Sequence, residues 1–192
     1  KGFELEAVTG QFTIAANDLF WSLLLADIFH EMESITPNLD LRIVQVGVEG
    51  GTLLRDEQCD LVITPVIPEG SEFKQQKIFA DEFVCFYDAS VTTAPKTLDD
   101  YLSRRHARIV FSSVETNPID QILAAQGHHR RVALQVSGFS GLAGLMKGTD
   151  LIAVLPSKIK KSIMGDFKTA PSPVPIGRLD FFQIWHSRDD DR

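Results

Sequence analysis

One recurring unit constrains this chain more than any other feature: a short apolar run, a polar turn, then a segment with helical spacing. Residues 11–33, QFTIAANDLFWSLLLADIFHEME, are its first instance. Residues 12–15 form a short strand-like run containing the β-branched pair Thr13 and Ile14. From Leu19 the pattern turns helical, with Phe20, Leu24 and Ile28 one turn apart and Leu23 beside them. Asn17 or Asp18 stands where a helix cap accepts hydrogen bonds from the first free backbone N–H groups. A strand that delivers its C-terminal end to a helix start is where open α/β sheets bind ligands, because unpaired N–H donors and the helix dipole meet there.

The unit then recurs. Residues 41–46, LRIVQV, form a second strand behind the turn Pro37-Asn38-Leu39-Asp40, and a helix within residues 48–58 starts at Gly47 or at Gly50-Gly51. Leu61–Thr64, LVIT, is an unbroken apolar run of the kind buried in parallel sheets, and Pro65 and Pro68 open a loop behind it. Residues 78–87 carry another apolar run. Thr97 precedes LDDYL with Asp100 three residues on, a capping-box variant. Residues 108–111 read as a strand, and Asn117-Pro118 starts a helix that Gly127 stops. Residues 132–136 form a strand, residues 137–140 open a helix carrying Leu142, Leu145 and Met146, and Gly148 ends it. Residues 151–155 form a strand and 157–164 a short helix; TAPSPVP is a loop, and residues 179–185 close the chain as a strand. This order predicts an α/β fold with mostly parallel sheets, doubled in organisation without any repeat in sequence.

Composition narrows the function. The 192 residues carry a net charge of -7, which argues against a large nucleic-acid surface on this chain. No apolar run approaches the ~18 residues of a membrane span. The N-terminus lacks the basic-then-apolar form of a signal peptide, and both ends look like the cut ends of a longer protein. Cys59 and Cys85 lie in apolar runs and are read as reduced core thiols.

The turns that follow strands are rich in small donors: Asn17, Thr64, Ser112, Ser113, Thr116, Ser137 and Ser140. Each can be a helix cap, but their recurrence at strand ends suits recognition of a small polar ligand. Catalytic patterns are missing from the sequence. None of His30, His106, His128, His129 and His186 falls at a strand end, and there is no Gly-x-Ser-x-Gly elbow, Walker loop or GxGxxG. No His, Cys and carboxylate set has metal-ligand spacing, so no metal or cofactor is expected. His128-His129-Arg130-Arg131 reads as a solvated basic turn. Phe20, Trp21 and Phe139 stand near the turns and serve either the core or a stacked ligand.

Residues 12–18, FTIAAND, with the apolar helix behind them, resemble the opening of the effector-binding domain of LysR-type transcriptional regulators. So do Pro37-Asn38-Leu39-Asp40-Leu41 with the later Asp60-Leu61-Val62-Ile63, and residues 140–156 with Gly148, LIAVLP and the run into Lys158. The resemblance spans residues 11–188, with Asp150 standing where the family usually has Gly. It implies a type II periplasmic-binding-protein-like α/β fold of two Rossmann-like lobes joined by two crossover strands. Lobe I would be residues 11–84 plus 182–192, lobe II residues 88–178, and the crossovers 83–88 and 179–185.

The same resemblance implies a small-molecule effector, typically an aromatic or other small organic acid, in the interlobe cleft. Carried over residue by residue, its contacts would be Asn17, Asp18, Gly47, Thr64, Pro65, Ser112, Glu115, Ser137, Phe139 and Val154. Asp18 and Glu115 would repel a carboxylate. The first helix is more apolar than one buried face requires: Phe20, Leu23 and Leu24 can serve the core, which leaves Trp21, Leu25, Ile28, Phe29 and Met32 for another surface. The family pairs that face with the helix carrying Ile122 in a second copy, giving a homodimer and, in the full-length protein, a tetramer. DNA would be bound only by a winged helix-turn-helix outside this chain. These expectations describe a cytoplasmic, non-enzymatic sensor with no membrane contact. The alternatives are a periplasmic-type solute-binding protein for transport, and an enzyme of the same architecture, for which Asp18 and Glu115 are the only isolated acid/base candidates.

Overall fold

The apolar runs become the strands of two five-stranded sheets. The computed structural model describes residues 7–47, 49–110 and 117–190. The strands are β1 (Gly10–Ala16), β2 (Leu39–Val44), β3 (Leu61–Thr64), β4 (Phe73–Asp81), β5 (Phe83–Tyr87), β6 (Arg105–Ile109), β7 (Arg131–Val136), β8 (Ile152–Pro156), β9 (Lys168–Pro171) and β10 (Leu179–His186). The α-helical segments are α1 (Asp18–Phe20), α2 (Ala26–Ile35), α3 (Gly50–Arg55), α4 (Leu98–Ser103), α5 (Pro118–Ala125) and α6 (Leu142–Met146). By internal contact the chain forms two units, Lys1–Phe79 with Asp180–Arg192, and Ala80–Leu179.

In the first unit the sheet order is β2-β1-β3-β10-β4. β1 runs parallel to β2, from Gly10↔Leu39 to Ala15↔Val44, and parallel to β3, from Ile14↔Leu61 to Ala16↔Ile63. β10 is antiparallel to β3, so the expectation of mostly parallel sheets holds for the β2-β1-β3 half. β4 begins in FKQQK, a polar stretch with no apolar signal, and survives as a solvated edge strand. α3 starts at Gly50, and its close approach to the following loop requires glycine. A Cβ on Gly51 would lie 2.6 Å from Cβ of Pro68, and one on Gly50 would lie 2.9 Å from Cγ1 of Val62.

The helix behind β1 corrects the sequence reading. Between α1 and α2 it makes one π-helical turn, Trp21–Leu25. Its i→i+5 bonding inserts an extra residue and rotates the following face. The buried position after Phe20 is therefore Leu25, at 1% exposure, whereas Leu23 and Leu24 are only partly buried. Leu25, expected on an outer surface, belongs to the core of its own unit. Trp21 (42% exposed) and Phe29 (41%) do face outwards, with Ile28 and Met32 half-buried. Phe20 holds the helix to the sheet: its ring lies edge-on to Phe181 at 5.1 Å and 6.3 Å from Phe79, and those two rings stand 4.9 Å apart.

The second unit has the order β7-β6-β8-β5-β9. β6 is parallel to β7 and β8, while β5 is antiparallel to β8 and β9. β9 lies partly in TAPSPVP, the segment expected to be a loop. It pairs with β5 from Tyr87↔Lys168 to Val84↔Pro171, and its edge position tolerates the proline. Helix starts follow their sequence signals. Oγ1 of Thr97 accepts from Asp100 N–H at 3.2 Å, and Oδ2 of Asp100 accepts from Lys96 N–H at 3.0 Å. Oδ1 of Asn117 accepts from Ile119 N–H at 3.0 Å, with Pro118 in the first turn and Gly127 at φ 74° behind the helix. Cys59 and Cys85 are free and buried, one in each unit, and burial pushes both thiols up to about 12.

His106 is fully buried in this second unit. Its ring lies 4.4 Å from that of Tyr101, and Nε2 is 2.9 Å from the Tyr101 carbonyl oxygen. Burial first, and then the Arg130 guanidinium, lower its pKa to about 4. An unfolded histidine titrates near ~6.5, so between those values the unfolded chain takes a proton that the folded one refuses. The stability is whole above about 6.5 and is lost as pH falls towards about 4, by at most about 3 kcal/mol. Urea melts across that range should show the loss. His106→Gln keeps an N–H for the Tyr101 carbonyl but does not titrate, and should flatten this limb; an unchanged limb would assign it to other groups.

Candidate functional site

Because β2, β1 and β3 are parallel, their C-terminal ends gather at one edge of the sheet. That edge carries the residues expected from the first lobe. Asn17 sits at the helix N-cap position, with φ -77° and ψ 165°, but its side chain makes no capping hydrogen bond. The cap read for Asn17 is thus present in backbone geometry and absent in side-chain chemistry. Its side chain is about nine-tenths buried, and Oδ1 has no hydrogen-bond partner. Asp18 is buried beside it. Thr64 ends β3 and is also buried; its Oγ1 accepts from Val66 N–H at 3.1 Å. Pro65 follows, half-buried. Gly47 lies in the loop behind β2, where its N–H donates to Oε1 of Glu49 at 3.0 Å. Trp21 stands one helical turn past Asn17, and its indole Nε1–H donates to the Ala16 carbonyl at 3.2 Å.

The residues expected from the second lobe are less of a group. Ser112 and Glu115 lie outside the described residues. Ser137 is exposed behind β7, and Phe139 is buried in the turn before α6. Val154 lies mid-strand in β8, opposite Cys85, in the core cluster with Tyr101, Ile119 and Leu123. Ile122 is half-buried and packs on that cluster.

Sequence reasoning missed a polar network in this second unit. Arg130, expected in a solvated basic turn, has a side chain only 1% exposed. It donates from Nε to Asp120 at 2.6 Å, from one terminal nitrogen to the Tyr101 hydroxyl at 3.0 Å, and from the other to Oδ1 of Asn117 at 3.3 Å. Arg108 completes it, donating to Asp120 at 2.7 Å and twice to Oε1 of Gln135. One carboxylate shared by two guanidiniums ties α5 to β6 and to the start of β7. The hydrogen bonds and charge of Arg130 and Arg108 hold Asp120 below the usual carboxylate range against its partial burial. A cavity of about 170 Å³ beside this network is lined by Arg108, Asp120, His128 and His129 among others. Arginine after a glycine stop reads as surface in any single sequence; only the pairing with Asp120, ten residues back, distinguishes it.

Among the described residues no three His, Cys, Asp or Glu side chains could hold a metal ion. No described helix is long and apolar enough to cross a membrane. What the first unit offers is a buried hydrogen-bonding edge: an amide, a carboxylate and a hydroxyl at the ends of adjacent parallel strands.

Residues 6–191 match the family of the LysR substrate binding domain. The HTH-type transcriptional activator NahR of Pseudomonas putida is 22% identical over 182 residues, which cover 92% of this chain and 61% of that protein. Nodulation protein D 1 of Sinorhizobium fredii is 26% identical over 150 residues, covering 77% of this chain and 47% of that protein. The chain thus spans roughly half to three fifths of the length of these curated relatives. The crystal structure of the regulatory domain of MexT, a transcriptional activator in Pseudomonas aeruginosa, is similar with a TM-score of 0.82 at 22% identity, covering 96% of this chain and 92% of that one. The fold is that of the LysR regulatory domains, α/β and type II periplasmic-binding-protein-like. With the family matched along nearly its whole length, the chain belongs to the LysR substrate-binding domain family.

Proposed function

We propose that this chain is the effector-sensing part of a LysR-type DNA-binding transcription regulator. The observation that carries this is the family match over residues 6–191, in company with relatives named as transcriptional activators. The geometry supports it: buried polar groups line the ends of parallel strands, as a binding site needs, and the described residues include no nucleophile-base pair there. A small organic effector would contact Asn17, Asp18, Gly47, Thr64 and Pro65 in the first unit and Ser112, Glu115, Ser137 and Phe139 in the second. Val154, the remaining residue expected at the effector, is buried in the β8 core among Cys85, Tyr101, Ile119 and Leu123 and would not touch it directly. Binding would shift the populations of conformations already accessible to the protein and so alter DNA binding elsewhere, without chemistry on the ligand. The setting would be the cytoplasm.

The gene itself discriminates between regulator and transport protein. The reading frame upstream of Lys1 should encode a winged helix-turn-helix domain. A secretion signal directly before Lys1 would instead assign the chain to the solute-binding class.

Assembly would use the outward face of the first helix. Trp21, Ile28 and Phe29 form an apolar stripe there, with Ile35 exposed further along the same helix, and the helix carrying Ile122 in a second copy would cover it, two-fold symmetrically. Leu25 plays no direct part because its own unit buries it. Light scattering on the Trp21→Asp, Phe29→Asp double variant should give the monomer mass where the wild type gives the dimer. An unchanged dimer mass would remove this face from the interface.

A further inference from the structure

The two units carry opposite charge. Residues 1–79 with 180–192 hold 17 Asp and Glu against seven Lys and Arg, a formal charge of -10. Residues 80–179 hold 12 Lys and Arg against nine Asp and Glu, a formal charge of +3. The net -7 of the chain is the sum of the two and conceals the division.

On the first unit, acid gathers around the outward apolar stripe. Residues 2–41 contain no lysine or arginine. On α2, Asp27, Glu31 and Glu33 are exposed, Glu33 one turn beyond Phe29 and Asp27 one turn before Glu31. This pattern costs the helix itself. Like charges one turn apart repel, and no basic residue in the last turn answers the helix dipole.

On the second unit, α5 and the turn behind it show the reverse. The exposed residues Gln121, Ala124 and Ala125 are uncharged and mostly small, so large rings can lie on them. The one carboxylate of α5, Asp120, is held by Arg108 and Arg130, a trio with one positive charge in excess. Just behind the helix, His129 and Arg131 are exposed. Arg131 opens the edge strand β7 opposite Arg105 of β6, a like-charge pairing that weakens a ladder. Arg105 is paired with Asp150 at 2.7 Å, whereas Arg131 has no ion pair among the described residues.

We infer that charge selects how two copies of this chain meet: the acidic helix face of one copy's first unit seats on the basic end of α5 in the other copy's second unit. This rests on the assembly through Trp21 and Phe29 given above and adds what chooses the partner face. The rings supply apolar area. Exposed ion pairs add little affinity one by one, so the charges act on specificity and on the encounter. Two first-unit faces repel, since acid would meet acid.

Two measurements test it. In sedimentation equilibrium the dissociation constant of the wild-type dimer should rise about fivefold between low salt and ~0.5 M sodium chloride. An unchanged or lower constant overturns the proposal. The second measurement uses two variants, one with Asp27→Lys, Glu31→Lys and Glu33→Lys, the other with His129→Glu and Arg131→Glu. All five residues are exposed, so both variants should keep the wild-type circular dichroism spectrum. One variant then carries two basic faces and the other two acidic ones. Each alone should be a monomer where the wild type is a dimer, and the mixture should give the heterodimer in native mass spectrometry. A mixture that does not pair, or either variant dimerising as tightly as the wild type, overturns the charge assignment while the Trp21 and Phe29 interface stands. A wild type that is monomeric at every concentration and salt removes the assembly reading as well.

Discussion

Parallel pairing of β1 with both its neighbours is the constraint on which the first unit depends. Parallel strands cannot be joined by tight turns, so each crossing from β1 to β2 and from β2 to β3 needs a helix. The connections then start at one edge of the sheet, and whatever polar residues end the strands are collected there. β1 is an inner strand paired on both sides; its final residues are small, apolar and buried, and the first polar residues after it, Asn17 and Asp18, remain buried too. A polar site at this edge is a by-product of topology. Whether it binds anything depends on what the collected side chains leave unsatisfied.

The architecture was largely legible in the sequence because its signals are local. Unbroken apolar runs such as LVIT and LIAVL become the buried strands β3 and β8. Thr97, Asn117-Pro118, Gly127 and Gly148 mark helix ends by side-chain and backbone preferences that need no tertiary context. What escaped depends on partners distant in sequence. β9 is a strand only because β5 is available to pair with it. β4 opens with lysine and glutamines because one of its sides is solvent. The π turn at Trp21–Leu25 leaves no mark in hydrophobic spacing, yet it moves Leu25 inwards and so reassigns a residue from the outer surface to the core.

The candidate site shows the same division. Strand-end residues could be named from the sequence: Asn17, Asp18, Thr64 and Pro65 do stand at one edge of one sheet. Their hydrogen-bonding state could not. Asn17 reads as a helix cap, and its side chain caps nothing. Conversely, Arg130 reads as a solvated charge and is buried among Asp120, Tyr101 and Asn117. In the first unit polar capacity is left open, and in the second it is closed on itself. That contrast separates a group available to a ligand from one that holds a helix to a sheet.

In the function proposed above, the buried polar edge of the first unit senses a ligand on behalf of a DNA-binding regulator. The most direct measurement is transcription of a reporter from the promoter adjoining this gene, over a panel of small organic compounds. The reporter is driven by the full-length protein, either wild type or carrying Thr64→Val. With DNA affinity measured alongside in the absence of ligand, Thr64→Val should keep DNA binding and lose the response to the compound that induces the wild type. A response retained in full by Thr64→Val, at unchanged DNA affinity, would contradict it.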